Sequence, residues 1–202
     1  MIVIVDYGIS NIGAVKNALN FLKFKSKITS NKKEVIKAKK IIIPGNGNFG
    51  EGMRLLKKLN LTELLNKLVM KEKIPVLGIC LGYQLMLKAS EESTGQEGLG
   101  WINGKVKKFK RKKGFSIPHV GWNKVSFKKM SLMKNVPTES RLYFDHSFFT
   151  VIEEKRIKFG KTDYIEKFQS IYEKDNIYGF QPHLEKSQKF GLKILENFCN
   201  LC

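Results

Sequence analysis

The sequence predicts an α/β protein with a central, mostly parallel sheet flanked by helices and with extra antiparallel strands in its second half. Three observations support this class. Apolar runs alternate with helically spaced segments in the first half, short strand-like runs replace them in the second half, and a glycine-flanked cysteine follows an apolar run. With 202 residues and no linker rich in Pro, Gly or Ser, residues 1–202 are expected to form a single domain.

The first half is expected to alternate strand and helix, an order that makes neighbouring strands parallel. Ser10 or Asn11 is a candidate N-cap for the first helix, and Pro44-Gly45 ends the second strand. The expected elements are a strand at 2–5, a helix at 11–24, a strand at 41–43, a helix at 54–71, a strand at 74–79 and a helix at 83–87.

The second half reads as short strands closed by a last helix that starts near Ser187. Asp175-Asn176 is a favourable hairpin turn between the final two strands. The expected strands are 106–109, 124–127, 141–144, 148–152, 168–172 and 177–181.

The net charge of +19 is unusual, yet only four of the 37 basic residues are arginine. Nucleic-acid sites tend to use Arg forks and stacked aromatic rings, so evenly spread lysine favours a compositional bias instead. The densest run, residues 105–113, is interpreted as a solvated hairpin, with a nucleic-acid patch as the alternative. A third reading is docking to an acidic partner.

Several classes of protein are disfavoured by simple counts. No apolar run approaches the roughly 18 residues that span a bilayer, and residues 1–6 read as a strand rather than a signal peptide. Three cysteines argue against a disulfide scaffold and favour the reducing cytoplasm. Cys199 and Cys202 form a C-x-x-C without a second ligand pair, so no metal is expected there.

Cys80 is the most informative residue. An apolar run precedes it, Gly78 and Gly82 flank it, and a helical segment follows, which is the layout of a nucleophile elbow. The glycines allow a tight crossing where a Cβ would clash, and the helix start favours a thiolate. A small buried core cysteine is the alternative, but it would not need both glycines.

His183 is the best candidate for a base among three histidines, the others being His119 and His146. Glu185 lies two residues on, and in an extended segment both side chains point the same way, so the carboxylate could orient the ring. Alternatively, Glu185 merely opens the last helix. The loop at residues 44–48 is either a plain turn or a source of N–H donors for an oxyanion.

Together these segments resemble the class I, triad-type glutamine amidotransferases, and more narrowly the glutaminase subunits of imidazole glycerol phosphate synthase. The elbow and the last motif mark the superfamily, and PHVGWN with Asp6-Tyr7-Gly8 marks the subunit. The segments are Asp6-Tyr7-Gly8 with Asn11, PGNGNFG from Pro44, GICLGYQLM from Gly78, SEES from Ser90, GLGW from Gly98, PHVGWN from Pro118 and GFQPHLEKS from Gly179.

The resemblance implies a flavodoxin-like class I glutamine amidotransferase domain that hydrolyses L-glutamine without metal or organic cofactor. It implies ammonia transfer to a (β/α)8-barrel cyclase partner, as a heterodimer, for imidazole glycerol phosphate and the aminoimidazole carboxamide ribotide in histidine biosynthesis. The implied roles are catalysis by Cys80, His183 and Glu185, oxyanion binding by Gly47 and Leu81, glutamine binding by Gln84, Glu92, Ser147 and Phe148, and partner contact by Asn11 and Trp122.

The chain departs from the family pattern in two places. Pro182 and Leu184 replace the usual aromatic before the histidine and proline after it, and Ser10 replaces a glycine. The resemblance also implies one alternative within the family, a paralogous glutaminase that supplies ammonia for amination of a surface-polysaccharide or flagellar sugar. Three further alternatives are a catalytically silent interaction module, a nucleic-acid binder and a cysteine peptidase.

Overall fold

The structure is a computed structural model that describes residues 1–9 and 11–201. Its twelve described strands form a nine-stranded sheet and a separate three-stranded sheet. The strands are β1 (Ile2–Val5), β2 (Ser26–Thr29), β3 (Lys40–Ile43), β4 (Val76–Ile79), β5 (Leu87–Ser90), β6 (Ile102–Lys108), β7 (His119–Phe127), β8 (Ser140–His146), β9 (Phe148–Ile152), β10 (Lys158–Asp163), β11 (Lys167–Lys174) and β12 (Ile177–Phe180).

Six α-helices connect or cover these strands in the described residues. A π-helical turn over Lys67–Lys71 extends α4, and a 3₁₀ turn over Leu184–Lys186 precedes α6. The helices are α1 (Ile12–Phe21), α2 (Lys32–Val35), α3 (Phe49–Lys58), α4 (Thr62–Asn66), α5 (Leu81–Leu85) and α6 (Gln188–Cys199).

The large sheet joins a parallel half to an antiparallel half, in the order β2-β1-β3-β4-β12-β11-β10-β7-β8. All pairings from β2 to β12 are parallel, and all pairings from β12 to β8 are antiparallel. The predicted fold class is therefore confirmed, with the late strand β12 completing the parallel half beside β4.

Alternation along the central strands divides the interior into two cores. Ile2 and Ile4 of β1 belong to a cluster with α1 and α6, whereas Val3 and Val5 face a cluster built on α3, α4 and α5. Successive side chains of a strand point to opposite faces, so a strand that is apolar at every position needs cover on both. The continuous apolar runs of the first half are explained by this double burial.

The single helix expected over residues 54–71 is wrong. The chain forms α3, turns at Asn60 with φ +51°, and then forms α4 and the π-helical turn. Asn tolerates the left-handed region better than most residues. Leu56 and Leu65 still reach the same core, which explains why the apolar spacing looked continuous across the break.

Other boundaries also moved. The helix expected at 83–87 ends at Leu85, because the following segment pairs as β5 with β6. The helix expected at 11–24 ends at Phe21. Asn11 occupies its N-cap position but makes no capping hydrogen bond, and Ser10 lies outside the described residues.

Residues 105–113 do not form the expected hairpin. The start of the run belongs to β6, between β5 and β9, and the remainder is an exposed loop in which Phe109 is buried. The Asp175-Asn176 hairpin is confirmed by the antiparallel pairing of Lys174 with Ile177. Strands β2, β5 and β10 were not predicted, since each carries several polar residues.

No helix within residues 1–9 and 11–201 is both long enough and apolar enough to cross a membrane.

Candidate active site

Cys80 lies at a sharp turn between β4 and α5, with φ +52° and ψ −104°. A Cβ on Gly78 would come within 2.8 Å of the Gly82 backbone, and one on Gly82 would overlap the Ile43 carbonyl oxygen. Both glycines are therefore required for the chain to cross over itself, as the elbow interpretation predicted. The backbone N–H of Cys80 donates to the Phe180 carbonyl of β12 at 2.8 Å, which ties the turn to the neighbouring strand.

His183 and Glu185 form a buried pair next to the end of β12. His183 Nδ1 lies 2.8 Å from Glu185 Oε1, and both side chains are only 1% exposed. The backbone N–H of His183 donates to the Tyr143 carbonyl at 2.8 Å, and Leu184 is fully buried. The pair thus keeps its spacing although Pro182 and Leu184 replace the usual neighbours.

The environment of His183 favours its charged form. Burial opposes protonation, but the nearby Cys80 and Glu185 outweigh burial and raise the pKa of His183 to about 10. Nε2 of His183 has no hydrogen-bond partner among the described residues. This ring nitrogen is therefore available for proton transfer.

Asn11 contacts the same carboxylate oxygen as His183. Its Nδ2 donates to Glu185 Oε1 at 2.6 Å, so one carboxylate oxygen serves both Asn11 and His183. Asn11 was predicted as a partner contact. The structure places its side chain on the candidate triad, at the start of α1 and half-buried.

A cavity of about 270 Å³ opens directly beside Cys80. The predicted oxyanion and glutamine-binding residues all line it, which brings together segments that are distant in the sequence. They are Gly47, Leu81, Gln84, Glu92, Ser147 and Phe148.

Two glutamines connect this cavity to the sulfur. Gln84 Nε2 donates to the Phe148 carbonyl at 3.3 Å and to Gln181 Oε1 at 2.9 Å, and Gln181 Nε2 lies 3.7 Å from Cys80 Sγ. Gln181 was missed in the sequence. Its position two residues before His183, on the same side of an extended segment, was the signal that could have found it.

Glu92 is held at the rim of the cavity by α3. Its Oε2 accepts a hydrogen bond from the Phe49 N–H at 2.7 Å. The first turn of that helix therefore orients the carboxylate, because N–H groups there have no intrahelical partner.

The two oxyanion candidates differ in whether they are already engaged or lie open. Leu81 N–H donates to the Gly45 carbonyl at 3.3 Å, while Gly47 has φ +138° and nothing within 4 Å of its Cβ position. Tyr7 is buried beneath this loop and donates to the Pro44 carbonyl at 2.5 Å. The loop at residues 44–47 is thus anchored at one end and open at the other.

Trp122, the second predicted partner contact, is 40% exposed near the site. Its ring packs edge-on against Tyr143, over which the Lys186 ammonium lies at 5.4 Å. Val120 on the same strand is 55% exposed. An apolar and aromatic surface therefore borders the segment that carries His183.

No group of three His, Cys, Asp or Glu side chains suited to hold a metal ion occurs in the part of the chain that the structure describes. Cys199 is buried, and its burial raises its pKa to about 12. Cys202, the other half of the C-x-x-C, lies outside the described residues.

Comparisons with known proteins agree with this architecture. The family model for glutamine amidotransferase class-I matches residues 3–201. A solved structure described as a glutamine amidotransferase superposes with a TM-score of 0.73 at 15% identity, covering 97% of this chain and 98% of that one, which shows the shared fold.

Curated relatives are similar over their whole length. The chain is 48% identical to "Imidazole glycerol phosphate synthase subunit HisH 2" of Methanococcus maripaludis, covering 98% of both chains. It is 38% identical to the protein of the same name from Pseudomonas aeruginosa, covering all of both chains. The chain therefore belongs to the class I glutamine amidotransferase family, within the glutaminase subunits of imidazole glycerol phosphate synthase.

Proposed function

We propose that this chain hydrolyses L-glutamine to glutamate and ammonia with Cys80, His183 and Glu185 as its catalytic residues. The observation that carries the proposal is a cysteine on a strained elbow beside a cavity, with a buried His–Glu pair on the adjoining strand end. Nucleophile, base and orienting acid are the parts that thiol acyl transfer needs.

The reaction starts with attack of the Cys80 thiolate on the side-chain amide carbon of glutamine. His183 is already protonated at neutral pH, so it gives its proton to the departing ammonia. The resulting glutamyl thioester is then hydrolysed by a water that His183, now neutral, activates. Glu185 keeps the ring in place throughout through its bond to Nδ1.

Gly47 and Leu81 supply the oxyanion donors in this proposal. Because the Leu81 N–H already donates weakly to Gly45, that bond must open before the N–H can bind an oxyanion. Gln84, Glu92, Ser147 and Phe148 hold the amino-acid part of the substrate, since they line the rest of the cavity. A subunit with one donor engaged would hydrolyse glutamine slowly on its own.

The ammonia is delivered to a cyclase subunit with a (β/α)8 barrel, which forms a heterodimer with this chain. The names of the relatives support a place in imidazole glycerol phosphate synthase, and thus in histidine biosynthesis. The barrel docks on the surface around Trp122, beside the segment that carries His183. Ammonia then passes through the barrel without reaching bulk water.

We place this activity in the cytoplasm, in one domain that spans residues 1–202. The two described cysteines, Cys80 and Cys199, are both free, as is usual in a reducing compartment. The single large sheet contains strands from both halves of the chain, which supports one folding unit.

The comparisons do not favour the alternative functions. Relatives named as synthase subunits at up to 48% identity leave the sugar-amination, silent-module, peptidase and nucleic-acid alternatives without support of their own. The intact spacing of His183 and Glu185 also gives no reason to expect a dead site.

The test is glutamine hydrolysis measured with and without the cyclase and its nucleotide ligand. We expect weak activity alone, strong stimulation by the liganded complex, and complete loss in Cys80→Ala. Cys199→Ala is the matched control, because it removes another buried cysteine, one that does not line the cavity. Hydrolysis that survives Cys80→Ala would refute the mechanism, and no stimulation would refute the partner.

A further inference from the structure

A chain of hydrogen bonds runs from the middle of β7 to the glutamine cavity through two histidines that the mechanism does not use. Asn123 Nδ2 lies 3.2 Å from His119 Nε2, and His119 Nδ1 lies 3.1 Å from His146 Nε2. His146 Nδ1 in turn lies 2.6 Å from the Phe148 carbonyl oxygen. The β7–β8 register places His119 directly opposite His146.

The carbonyl at one end of this chain of hydrogen bonds determines which atom donates in every bond. A carbonyl oxygen only accepts, so His146 Nδ1 carries a hydrogen and donates it to Phe148. In a neutral ring the other nitrogen then accepts, so His119 Nδ1 donates to His146 Nε2. By the same reasoning His119 Nε2 accepts from the Asn123 amide. Each tautomer is fixed by its neighbour.

Both rings are held neutral and in place. His119 is stacked between Phe144 and Tyr164, with ring centroids 4.7 and 3.9 Å away. Burial lowers the pKa of His119 to about 4, and burial with the neighbouring histidines lowers the pKa of His146 to about 3. The donor and acceptor roles in this chain of hydrogen bonds require both histidine rings to be neutral, which is the form that this environment favours.

The chain ends on an atom that also controls a cavity side chain. The Phe148 carbonyl accepts from Gln84 Nε2 at 3.3 Å, and the same nitrogen donates to Gln181. These two acceptors fix which end of the Gln84 amide faces them. The Gln84 oxygen receives no hydrogen bond from the described residues, so it is left for a donor such as the ammonium group of an amino acid.

We propose that His119 and His146 are positioning residues for glutamine: they hold the Phe148 carbonyl, and through it the Gln84 amide, in the orientation that receives the substrate. This inference rests on the proposed glutaminase function. A purely structural pair would also be buried and hydrogen-bonded, so the two roles must be separated by what the variants lose.

Three variants separate the roles. His146→Leu removes both of the ring's hydrogen bonds, while His146→Asn keeps a donor near the position of Nδ1. His119→Phe keeps the aromatic stack but leaves His146 Nε2 without its donor. Thr162→Val is the matched control, because it deletes a buried hydrogen bond, to Ser170 at 2.7 Å, that is not part of the chain.

Steady-state hydrolysis in the liganded complex is measured for each variant. We expect the KM for glutamine to rise about tenfold in His146→Leu with kcat changed less than about threefold, because a lost buried hydrogen bond weakens binding by roughly that factor. His119→Phe should give a smaller rise of about threefold. His146→Asn should return the KM to near wild type, and Thr162→Val should leave it unchanged.

A second readout is alkylation of Cys80 by a glutamine-mimicking electrophile and by iodoacetamide. Positioning predicts a loss of labelling by the glutamine mimic alone. Equal loss with both reagents, a fall in kcat without a rise in KM, or an unchanged KM in every folded variant would overturn the inference. If His146→Leu does not fold, His119→Phe and His146→Asn decide the question. Failure of the wild type to hydrolyse glutamine would instead overturn the proposed function.

Discussion

At the scale of single residues, the site depends on one shared oxygen. Glu185 Oε1 contacts both His183 and Asn11. The contact with Asn11 joins residues 174 positions apart in the sequence. The positions of the candidate triad residues could be predicted, because the glycines around Cys80 and the spacing of His183 and Glu185 are local patterns. Asn11, Gln181 and the His119–His146 pair could not, since their contacts depend on strand register and side-chain orientation.

The raised pKa of His183 predicts a pH dependence of stability. The folded state holds the proton up to about pH 10, whereas an unfolded histidine releases it near 6.5. The stabilisation is therefore complete below pH 6.5, declines as the pH rises between these values and is absent above about 10. Urea unfolding from pH 6 to 10 measures it.

Cys80→Ala is the comparison for that experiment. It removes the side chain that contributes most to the raised pKa of His183, so the decline with pH should become shallower. An identical slope in wild type and variant would show that the coupling between Cys80 and His183 does not affect folding.

Asn11→Ala should lower kcat for glutamine about tenfold in the isolated subunit, with little change in KM. The variant removes a hydrogen bond to a charged carboxylate, a contact worth about 1.5–3 kcal/mol, and leaves Glu185 less firmly placed. Asn17→Ala on the exposed side of the same helix is the control. Equal activity in the two variants would mean that Asn11 serves only the partner interface.

At the scale of elements, the elbow imposes the strictest requirement. The close approach of α5 to β3 explains why a glycine is needed at position 82, whereas Gly13 in α1 has open space around it. The apolar runs predicted the buried strands well, because each is covered on both faces. The apolar pattern did not predict the break near Asn60, because the two helices on either side of it pack on one core. It also did not predict β2, β5 and β10, because these strands are defined by their pairing rather than by an apolar pattern.

Gly82→Ala should destabilise the protein by about 3 kcal/mol or more, because the added methyl overlaps the Ile43 carbonyl and the backbone must move. Gly13→Ala should be neutral or stabilising by up to about 1 kcal/mol, since alanine restricts the unfolded chain. Chemical denaturation followed by circular dichroism gives both values. Equal stability of the two variants would contradict the close crossing at the elbow.

At the scale of the whole molecule, the net charge of +19 is the most unusual property. The described ion pairs between lysine or arginine and acidic groups mostly lie on the surface, where each contributes little. This excess predicts long-range attraction to an acidic surface rather than added stability. The sequence reveals the excess of positive charge but not the surface that it would attract. A lysine excess from compositional bias and one that promotes docking give the same pattern in a single sequence.

Association with the cyclase should therefore slow as salt increases. We expect the rate constant to fall about tenfold or more between 0.05 and 0.5 M NaCl, while kcat and KM for glutamine at saturating cyclase stay nearly constant. Stopped-flow tryptophan fluorescence measures the rate, because Trp122 is exposed on the proposed docking surface whereas Trp101 is buried. A rate independent of salt would assign the lysines to composition alone.

The position of β12 has a consequence for how the protein is made. This late strand pairs with β4, so during translation the edge of Val76–Ile79 that faces β12 stays open until Ile177–Phe180 has been synthesised. An apolar strand edge left open in this way is a template for aggregation, which makes the nascent chain a natural client for chaperones. The same order keeps Cys80 apart from the segment that carries His183 until β12 has been synthesised and has paired with β4.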